Sequence, residues 1–292
     1  MTLRTRALVG SGQSLSQITY GSMRIQSLTD DGLDPAHLLI ELHDAGITTH
    51  HSSSEYPNHL LYLEGLAKAK DAGRNFQHIV KVADPSFDDE CFDQGRLVAR
   101  IDAELSTLRT ERIESVQWLF RTGDVHDTKG RIERLAEQRS EIAEVMQRLC
   151  DSGKVGEFSC FPYNMDFAAA AATLPIGTLT TYLNLFERDA LQGRGDFDNV
   201  IAIRPFAGSN VPLNEATEFT KLEQRGLITA DACPYEMAIT FPLLSSWVST
   251  VIVSANSAAS RELAVRAGEV LPDDMRFFEM ESCLQTTEVV AV

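Results

Sequence analysis

The sequence predicts a closed (β/α)8 barrel, the TIM-barrel class of α/β folds, with an N-terminal β-hairpin and a short C-terminal helical extension. Eight short β-like stretches occur between residues 18 and 254, and helical material follows each of them. Strands that alternate with helices form parallel sheets, and eight such units close into a barrel. Because no linker, low-complexity tract or charge block interrupts the pattern, we expect residues 1–292 to form a single domain, with 272–292 as the extension.

The N-terminal elements follow from turn and capping signals. The stretch 3–25 reads as two β-like pieces around the turn Gly10-Ser11-Gly12, followed by the first barrel strand at 18–23. Asp34 is a favourable helix N-cap and Pro35 suits the first helical position, and apolar residues at helical spacing follow them. A helix therefore leads into the second strand.

The later elements repeat this alternation. Short β-branched or apolar runs predict strands, and apolar residues three or four positions apart predict helices. The predicted strands are 47–51, 78–82, 113–120, 155–160, 179–185, 200–205 and 250–254. The predicted helices are 60–70, 93–108, 141–150, 167–173, 214–224, 235–244, 261–267 and 274–284. The segment 191–199 has the weakest helical pattern, and we expect 288–292 to be a mobile tail.

Composition and charge exclude several classes of partner. The chain has 42 Asp and Glu against 26 Lys and Arg, a net charge of −16 that repels nucleic acid and anionic lipid. No apolar run approaches the roughly 18 residues that span a bilayer, and no signal-type segment follows Met1, so we expect a cytoplasmic protein with a small-molecule substrate. Five cysteines without a C-x-x-C pair predict reduced, mostly buried thiols. The sequence does not indicate an oligomeric state.

The loop after the strand at 47–51 concentrates groups that transfer protons. It carries His51, Glu55 and Tyr56, and Lys81 ends the next predicted strand. Because enzymes of this fold class keep their active sites at the carboxyl ends of the barrel strands, we expect these four side chains to meet there. The alternative for each is an ordinary surface or structural role.

Two arginines and a second histidine extend this list. Arg204 follows the seventh predicted strand and suits two-point binding of a carboxylate or phosphate; the alternative is a surface salt bridge. Arg121 and His126 follow the fourth strand and are further candidates for the barrel mouth. His50 and His51 are neighbours on a strand and point to opposite faces, so they cannot share a metal ion, and we predict no metal site.

Five segments, in order and at matching spacing, resemble the aldo-keto reductase family. They are 4–23 with its Gly21-Ser22, Ala45-Gly46-Ile47-Thr48 with Tyr56-Pro57-Asn58, Ile79-Val80-Lys81, 105–110 and 149–155. The resemblance covers nearly the whole chain. It implies NAD(P)H-dependent carbonyl reduction by a tyrosine acid whose pKa is controlled by a lysine, an aspartate and a histidine.

Half of that catalytic set is replaced in this chain. Tyr56 matches the tyrosine and Lys81 the lysine, but His51 stands where the family has aspartate. Leu119, or Phe120 if the strand slips by one residue, stands where it has histidine. We expect Lys81 to lower the pKa of Tyr56, and the exchange at His51 to remove the carboxylate that would keep Lys81 protonated and oriented.

The cofactor positions depart as well. Ser159-Cys160-Phe161-Pro162 replaces the family's G-V-S-N, Thr180 replaces a glutamine, and Ile203 replaces the aromatic residue that stacks on the nicotinamide. If NADP or NAD binds, the resemblance places it against Gly21, Ser22, Ser254, Asn256, Ser257 and Arg261. The candidate substrate contacts are Leu119, Phe120, Phe161 and Arg204.

Three interpretations follow from these matches and departures. The first is a divergent aldo-keto-reductase-like oxidoreductase that reduces a small carbonyl compound, with Tyr56 as the acid assisted by Lys81 and His51. The second is a barrel that has lost the cofactor and uses the same three residues as a lyase or isomerase on a small substrate, steered by Arg204 if it is anionic. The third is a non-catalytic binding relative. The fold analogy favours the first, and the site residues favour the second.

Overall fold

The computed structural model describes residues 3–26 and 34–285. Its strands are β1 Thr5–Leu8, β2 Gln13–Ser16, β3 Ile18–Gly21, β4 Thr49–Ser52, β5 Gln77–Ala83, β6 Ile113–Leu119, β7 Val155–Cys160, β8 Ile176–Tyr182, β9 Asn199–Ile203 and β10 Val248–Val253. Its α-helices are α1 Pro35–Asp44, α2 His59–Asp71, α3 Gln94–Thr107, α4 Thr128–Asp151, α5 Met165–Ala171, α6 Thr217–Gln224, α7 Pro234–Leu244, α8 Ala258–Ala267 and α9 Asp274–Gln285. Short 3-10 turns lie at Ser22–Arg24, Asp189–Gly193 and Leu213–Glu215.

The predicted barrel is confirmed. Strands β3 to β10 pair in parallel and in chain order, and β10 pairs with β3 to close the barrel. The helices surround the strands, and a large apolar core fills the layer between them. The parallel arrangement brings the carboxyl end of every strand to one rim of the barrel, which we call the mouth.

The predicted hairpin closes the opposite end. Strands β1 and β2 pair antiparallel, and Leu8 and Leu15 pack on inward-facing side chains of β5, β9 and β10. Arg6 anchors the hairpin to the last quarter of the chain, where Nη1 donates to the carbonyl oxygens of Ser245 (2.9 Å) and Val248 (2.8 Å). The first residues of the chain are thereby fixed to the last barrel strand.

Three predicted elements have different bounds in the structure. Helix α4 begins at Thr128, where Asp127 caps it by accepting from the Gly130 amide. The predicted start at 141 is wrong because the first turns of the helix are largely polar and lack the apolar spacing that predicts a helix. Strand β8 ends at Tyr182, since the Asn184 side chain accepts from the amides of Phe186 and Glu187 and turns the chain. The segment predicted as a helix at 191–199 contains only the 3-10 turn Asp189–Gly193 before β9.

The remaining expectations on the ends and the cysteines have mixed outcomes. The extension forms α9 as predicted, and the tail at 288–292 lies outside the described residues. Within 3–26 and 34–285, none of the helices combines the length and apolar character that a membrane crossing requires. The five thiols are free. Cys160 is buried, Cys91 is exposed and the other three are half-buried, so the expectation of mostly buried thiols is wrong.

Candidate active site

Three neighbouring strands bring polar side chains together inside the mouth. His51 lies on β4 beside Ile79 of β5, and Lys81 of β5 lies beside Gln117 of β6. Side chains two positions apart on a strand share a face, so Lys81 follows Ile79 into the barrel interior. The loop after β4 carries Glu55 and Tyr56 over these strands. The predicted meeting of His51, Glu55, Tyr56 and Lys81 therefore occurs.

Glu55 binds two cations at once. Its Oε2 lies 2.7 Å from Lys81 Nζ, and its Oε1 accepts from Arg121 Nη1 at 2.6 Å. Burial acts to raise the pKa of Glu55, but hydrogen bonds from Lys81 and Arg121 prevail and hold that pKa below its usual value. The expectation that Lys81 lacks a carboxylate partner is wrong, because a loop residue supplies the anion that position 51 does not.

Tyr56 differs from the expected acid. Lys81 Nζ lies over the face of its ring, 5.4 Å from the centroid. Burial raises the pKa of the Tyr56 phenol above its usual value, the Glu55 charge adds to the rise, and Arg121 opposes it. The expected lowering by Lys81 is absent because Lys81 contacts the ring face and its charge is paired with Glu55. Tyr56 therefore remains protonated throughout the physiological pH range.

His51 is a neutral imidazole with a hydrogen bond at Nε2. Its Nε2 lies 2.6 Å from Gln117 Oε1 inside the barrel, and its ring meets Tyr56 edge-on with centroids 6.0 Å apart. Burial lowers the pKa of His51 to about 4; the Gln117 hydrogen bond acts to raise it and the Lys81 charge to lower it. Since Gln117 Oε1 can only accept, Nε2 carries the proton of the neutral ring.

An aromatic wall lines the opposite side of the mouth. Phe161 meets both Tyr163 and Tyr182 edge-on, with centroids 4.8 and 6.0 Å apart. The Tyr163 hydroxyl accepts from Arg121 Nε at 2.9 Å, and the Arg204 guanidinium lies over Tyr182, 4.8 Å from the ring centroid. The wall thus has an arginine at each end, one paired with Glu55 and one exposed.

Leu119 and Phe120, the two residues that could stand at the family's histidine position, fall on opposite faces of the sheet at the end of β6. Leu119 lies two residues beyond Gln117 and shares its inward face. Phe120 instead packs outward, edge-on to Trp118 and stacked on Phe167 of α5, with centroids 5.5 and 5.9 Å apart. Phe120 therefore belongs to the helix layer and does not line the mouth, so we remove it from the candidate substrate contacts.

No protein-family model matches the chain, and no curated protein sequence is significantly similar to it. Solved structures are similar over nearly its whole length. The holo form of aldo-keto reductase AKR11C1 from Bacillus halodurans has a TM-score of 0.69 at 18% identity, covering 95% of this chain and 96% of that one.

Two further structures agree with this result. The thermostable aldo-keto reductase Tm1743 in complex with the inhibitor epalrestat has a TM-score of 0.70 at 14% identity, covering 96% of this chain and 100% of that one. An aldo-keto reductase from Klebsiella pneumoniae in complex with NADPH has a TM-score of 0.67 at 12% identity, covering 99% of this chain and 97% of that one. The chain has the aldo-keto reductase fold.

On this fold the dinucleotide positions of the resemblance lie around the junction of β10 and β3. Ser254 Oγ donates to the Gly21 carbonyl at 3.3 Å, and a Cβ on Gly21 would come within 3.0 Å of Ile252. The buried Ser22 hydroxyl has no partner among the described residues. Gly21 and Ser22 thus leave a narrow polar notch at the rim that a larger residue would fill.

The residues that the resemblance assigns to the phosphates of a dinucleotide already form contacts within the chain. Arg261 pairs with Glu41 at 2.7 Å and donates to the Asn256 carbonyl, while the Asn256 side chain accepts from Tyr20. Ser257 and Ser260 form a capping box at the start of α8. A helix N-terminus still offers amides to a diphosphate, but Arg261 is already neutralised. The donor set fits a dinucleotide without an additional 2′-phosphate better than one with it.

The positions that the resemblance assigns to the nicotinamide offer few free hydrogen-bonding groups. Ser159 Oγ accepts from Thr180 Oγ1 at 2.9 Å and donates to the Val116 carbonyl at 3.4 Å, and Cys160 is fully buried.

The residues that sequence reasoning missed are Gln117 and Tyr163. The inward alternation of β6 would have indicated Gln117, whereas nothing in the sequence indicates the positive φ of 62° that turns Tyr163 towards Arg121.

Proposed function

We propose that the protein is an aldo-keto-reductase-like oxidoreductase that reduces a small carbonyl compound with a nicotinamide dinucleotide. The observation that carries this proposal is the convergence of Tyr56, Lys81 and His51 at the mouth of a barrel with this fold. It is supported by the whole-chain similarity to a reductase in complex with NADPH. The Gly21 and Ser22 notch and the N-terminus of α8 are the proposed contacts of the dinucleotide, with Ser254, Asn256 and Arg261 beside them.

Tyr56 is the proposed proton donor. When bound, the dinucleotide supplies a hydride to the carbonyl carbon. The alkoxide that results needs a proton, and a phenol that is protonated at every physiological pH always has one to give. Lys81 fixes the face of the Tyr56 ring, and neutral His51 donates its Nε2 proton to Gln117 and holds that side chain in place. The high pKa of Tyr56 disfavours the phenolate that the reverse oxidation requires.

The charges of the mouth favour an anionic substrate. Lys81 and Arg121 share the single charge of Glu55, and Arg204 forms no ion pair within 3–26 and 34–285. The site is therefore cationic in a chain whose net charge is −16, and the field of a cationic cleft attracts anions. Phe161 and Tyr182 offer an apolar surface beside Arg204, so we expect a carbonyl compound with a carboxylate and an apolar body.

Cofactor binding is the first test of this proposal. Purified protein is titrated with NADH and NADPH while nicotinamide fluorescence is followed; we expect binding of both, with NADH at least as tight because Glu41 neutralises Arg261. Tyr56→Phe should keep this binding and lose carbonyl reduction. Absence of binding at several hundred micromolar would exclude the oxidoreductase, and unchanged turnover in Tyr56→Phe would exclude the assigned acid.

A cofactor-free lyase or isomerase is the second candidate. It is favoured by the neutral imidazole of His51 and by the commitment of Ser159 and Arg261 to contacts within the chain. The neutral imidazole has one unprotonated nitrogen that can take up a proton, although its lowered pKa makes it a weak base, and the paired cations beside it would stabilise an enolate. Turnover of a 2-oxo acid without nicotinamide, lost in His51→Ala, would support this candidate. A protein with neither dinucleotide binding nor turnover would instead be the non-catalytic relative.

A further inference from the structure

A second polar cluster lies at the hairpin end of the barrel, away from the mouth. It consists of Ser115 on β6, Glu157 on β7, Thr178 on β8 and Asn199 on β9, and we call it the basal cluster. Strand register places Ser115 beside Glu157 and Thr178 beside Asn199. All four residues are at most 5% exposed. Gly10 of the hairpin covers the cluster, since a Cβ there would lie 3.1 Å from Glu157 Oε2.

The polar atoms of the basal cluster lack protein partners. Ser115 Oγ, both carboxyl oxygens of Glu157, Thr178 Oγ1 and Asn199 Nδ2 form no hydrogen bond with any described residue. The two hydroxyls lie close enough to Glu157 to favour its charged form, but neither has the geometry of a hydrogen bond. Buried polar atoms without partners are costly, and five in one place indicate an occupant that bonds to them all.

The side-chain amide of Asn199 forms better hydrogen bonds when its Oδ1 and Nδ2 atoms are exchanged. Ser249 Oγ has one proton but faces two acceptors, the Ala7 carbonyl at 3.0 Å and Asn199 Oδ1 at 3.2 Å. Reversing the amide lets Asn199 Nδ2 donate to Ser249 Oγ while Ser249 donates to Ala7. The two orientations have nearly the same shape, so the hydrogen bonds decide between them. Asn199 Oδ1 then faces the cluster, and every atom that faces it is an oxygen.

The charge of the basal cluster is −1 when Glu157 is ionised. Glu157 forms no ion pair within the described ranges, and the nearby Asp198 is exposed. An ionised Glu157 would be a buried carboxylate without a partner among the described residues, which is unfavourable unless a cation neutralises it.

We propose that the basal cluster binds a monovalent alkali cation through the oxygens of Ser115, Glu157, Thr178 and Asn199. One carboxylate with neutral oxygens balances one positive charge, whereas divalent sites in proteins recruit more carboxylates. The cation links four consecutive strands beneath the hairpin. Its role is to stabilise the barrel, and it does not depend on the reaction at the mouth.

Thermal unfolding in different salts tests this site. Wild type is unfolded at pH 8 in sodium, potassium and choline chloride at equal ionic strength. We expect the Tm to be several degrees higher in one alkali chloride than in choline chloride. Glu157→Gln should abolish the difference, and Glu281→Gln, which alters a buried carboxylate elsewhere, should retain it.

Two results would overturn the site. Equal Tm values in all three salts would mean that Glu157 is a buried neutral acid bonded to water, and a salt effect that persists in Glu157→Gln would place any cation elsewhere. If Glu157→Gln does not fold, crystals soaked in rubidium chloride provide a direct answer. An anomalous peak between Glu157 and Thr178 supports the proposal, and no peak there refutes it.

Discussion

The Glu55 carboxylate lies 2.7 Å from the Lys81 ammonium, and this contact sets the orientation of Lys81 over Tyr56. Glu55 comes from a loop, whereas Lys81 comes from a rigid barrel strand. The same carboxylate holds Arg121, which in turn donates to Tyr163. Glu55 therefore connects both sides of the mouth. We expect its loss to loosen Lys81, Arg121 and Tyr163.

Glu55→Gln should lower both catalysis and stability. The substitution keeps the shape of the side chain but leaves Lys81 and Arg121 without an anion. We expect at least a tenfold fall in turnover, and a fall of about 1 to 2 kcal/mol in the free energy of unfolding because the pair is only partly exposed. Steady-state kinetics and urea unfolding measure these effects. Asp102→Asn, which breaks the exposed Lys154–Asp102 pair, is the control and should cost under about 1 kcal/mol.

Turnover between pH 6 and 9 should show no change caused by titration of His51 or Tyr56. His51, with a pKa of about 4, stays neutral there, and Tyr56, whose pKa is raised, stays protonated. A profile of kcat against pH in the wild type checks this expectation. An inflection in that range that His51→Asn removes would show that His51 titrates, contrary to its buried environment.

Gln117→Leu should destabilise the fold through His51. The substitution removes the hydrogen-bond partner of the buried His51 Nε2–H group while preserving bulk, and an unsatisfied buried donor costs about 1 to 3 kcal/mol. The loss of the Gln117 hydrogen bond should also lower the pKa of His51 further. Urea unfolding and NMR titration of the imidazole report the two effects. Gln117→Glu should act in the opposite direction on the His51 pKa, because a carboxylate favours the imidazolium.

Stability should fall in mild acid because of three buried imidazoles. Burial lowers the pKa of His50 well below 6.5, of His51 to about 4 and of His78 to about 3. Below pH 6.5 the unfolded chain binds these protons and the folded chain does not, so each imidazole removes about 1.4 kcal/mol per pH unit. Glu157 acts in the opposite sense, since its pKa rises on folding from 4.5 to about 7.

The contribution of these four groups to the slope between pH 6 and 5 should therefore correspond to roughly two protons, or about 3 kcal/mol per pH unit. Urea unfolding at a series of pH values measures it. His78→Gln should reduce the slope by about one proton, and His37→Gln, which replaces an exposed imidazole, is the matched control. A slope that does not respond to His78→Gln would mean that His78 is protonated in the folded protein.

The barrel was predictable because its signals are periodic and local. Eight strands and the hairpin follow from alternation and turns, and the errors lie where a polar helix start or an asparagine turn determines the boundary, as at Thr128 and Asn184. Tyr56, Lys81 and His51 were predicted at the mouth. Glu55 was expected beside them, but its ion pair with Lys81 was not, because it depends on a loop conformation. The outward face of Phe120 was not predicted either, because Phe120 differs from Leu119 by a single step in strand alternation.

The Arg6 anchor and the pairing of β3 with β10 join positions separated by more than 230 residues. During synthesis the strands from β3 onwards emerge with an unpaired edge, and nothing can cover that edge until Val248–Val253 has been made. The hairpin likewise has no anchoring carbonyls until Ser245 is present. A nascent chain of this protein therefore exposes both a strand edge and an uncovered barrel base for most of its translation, which makes it a natural client for chaperones.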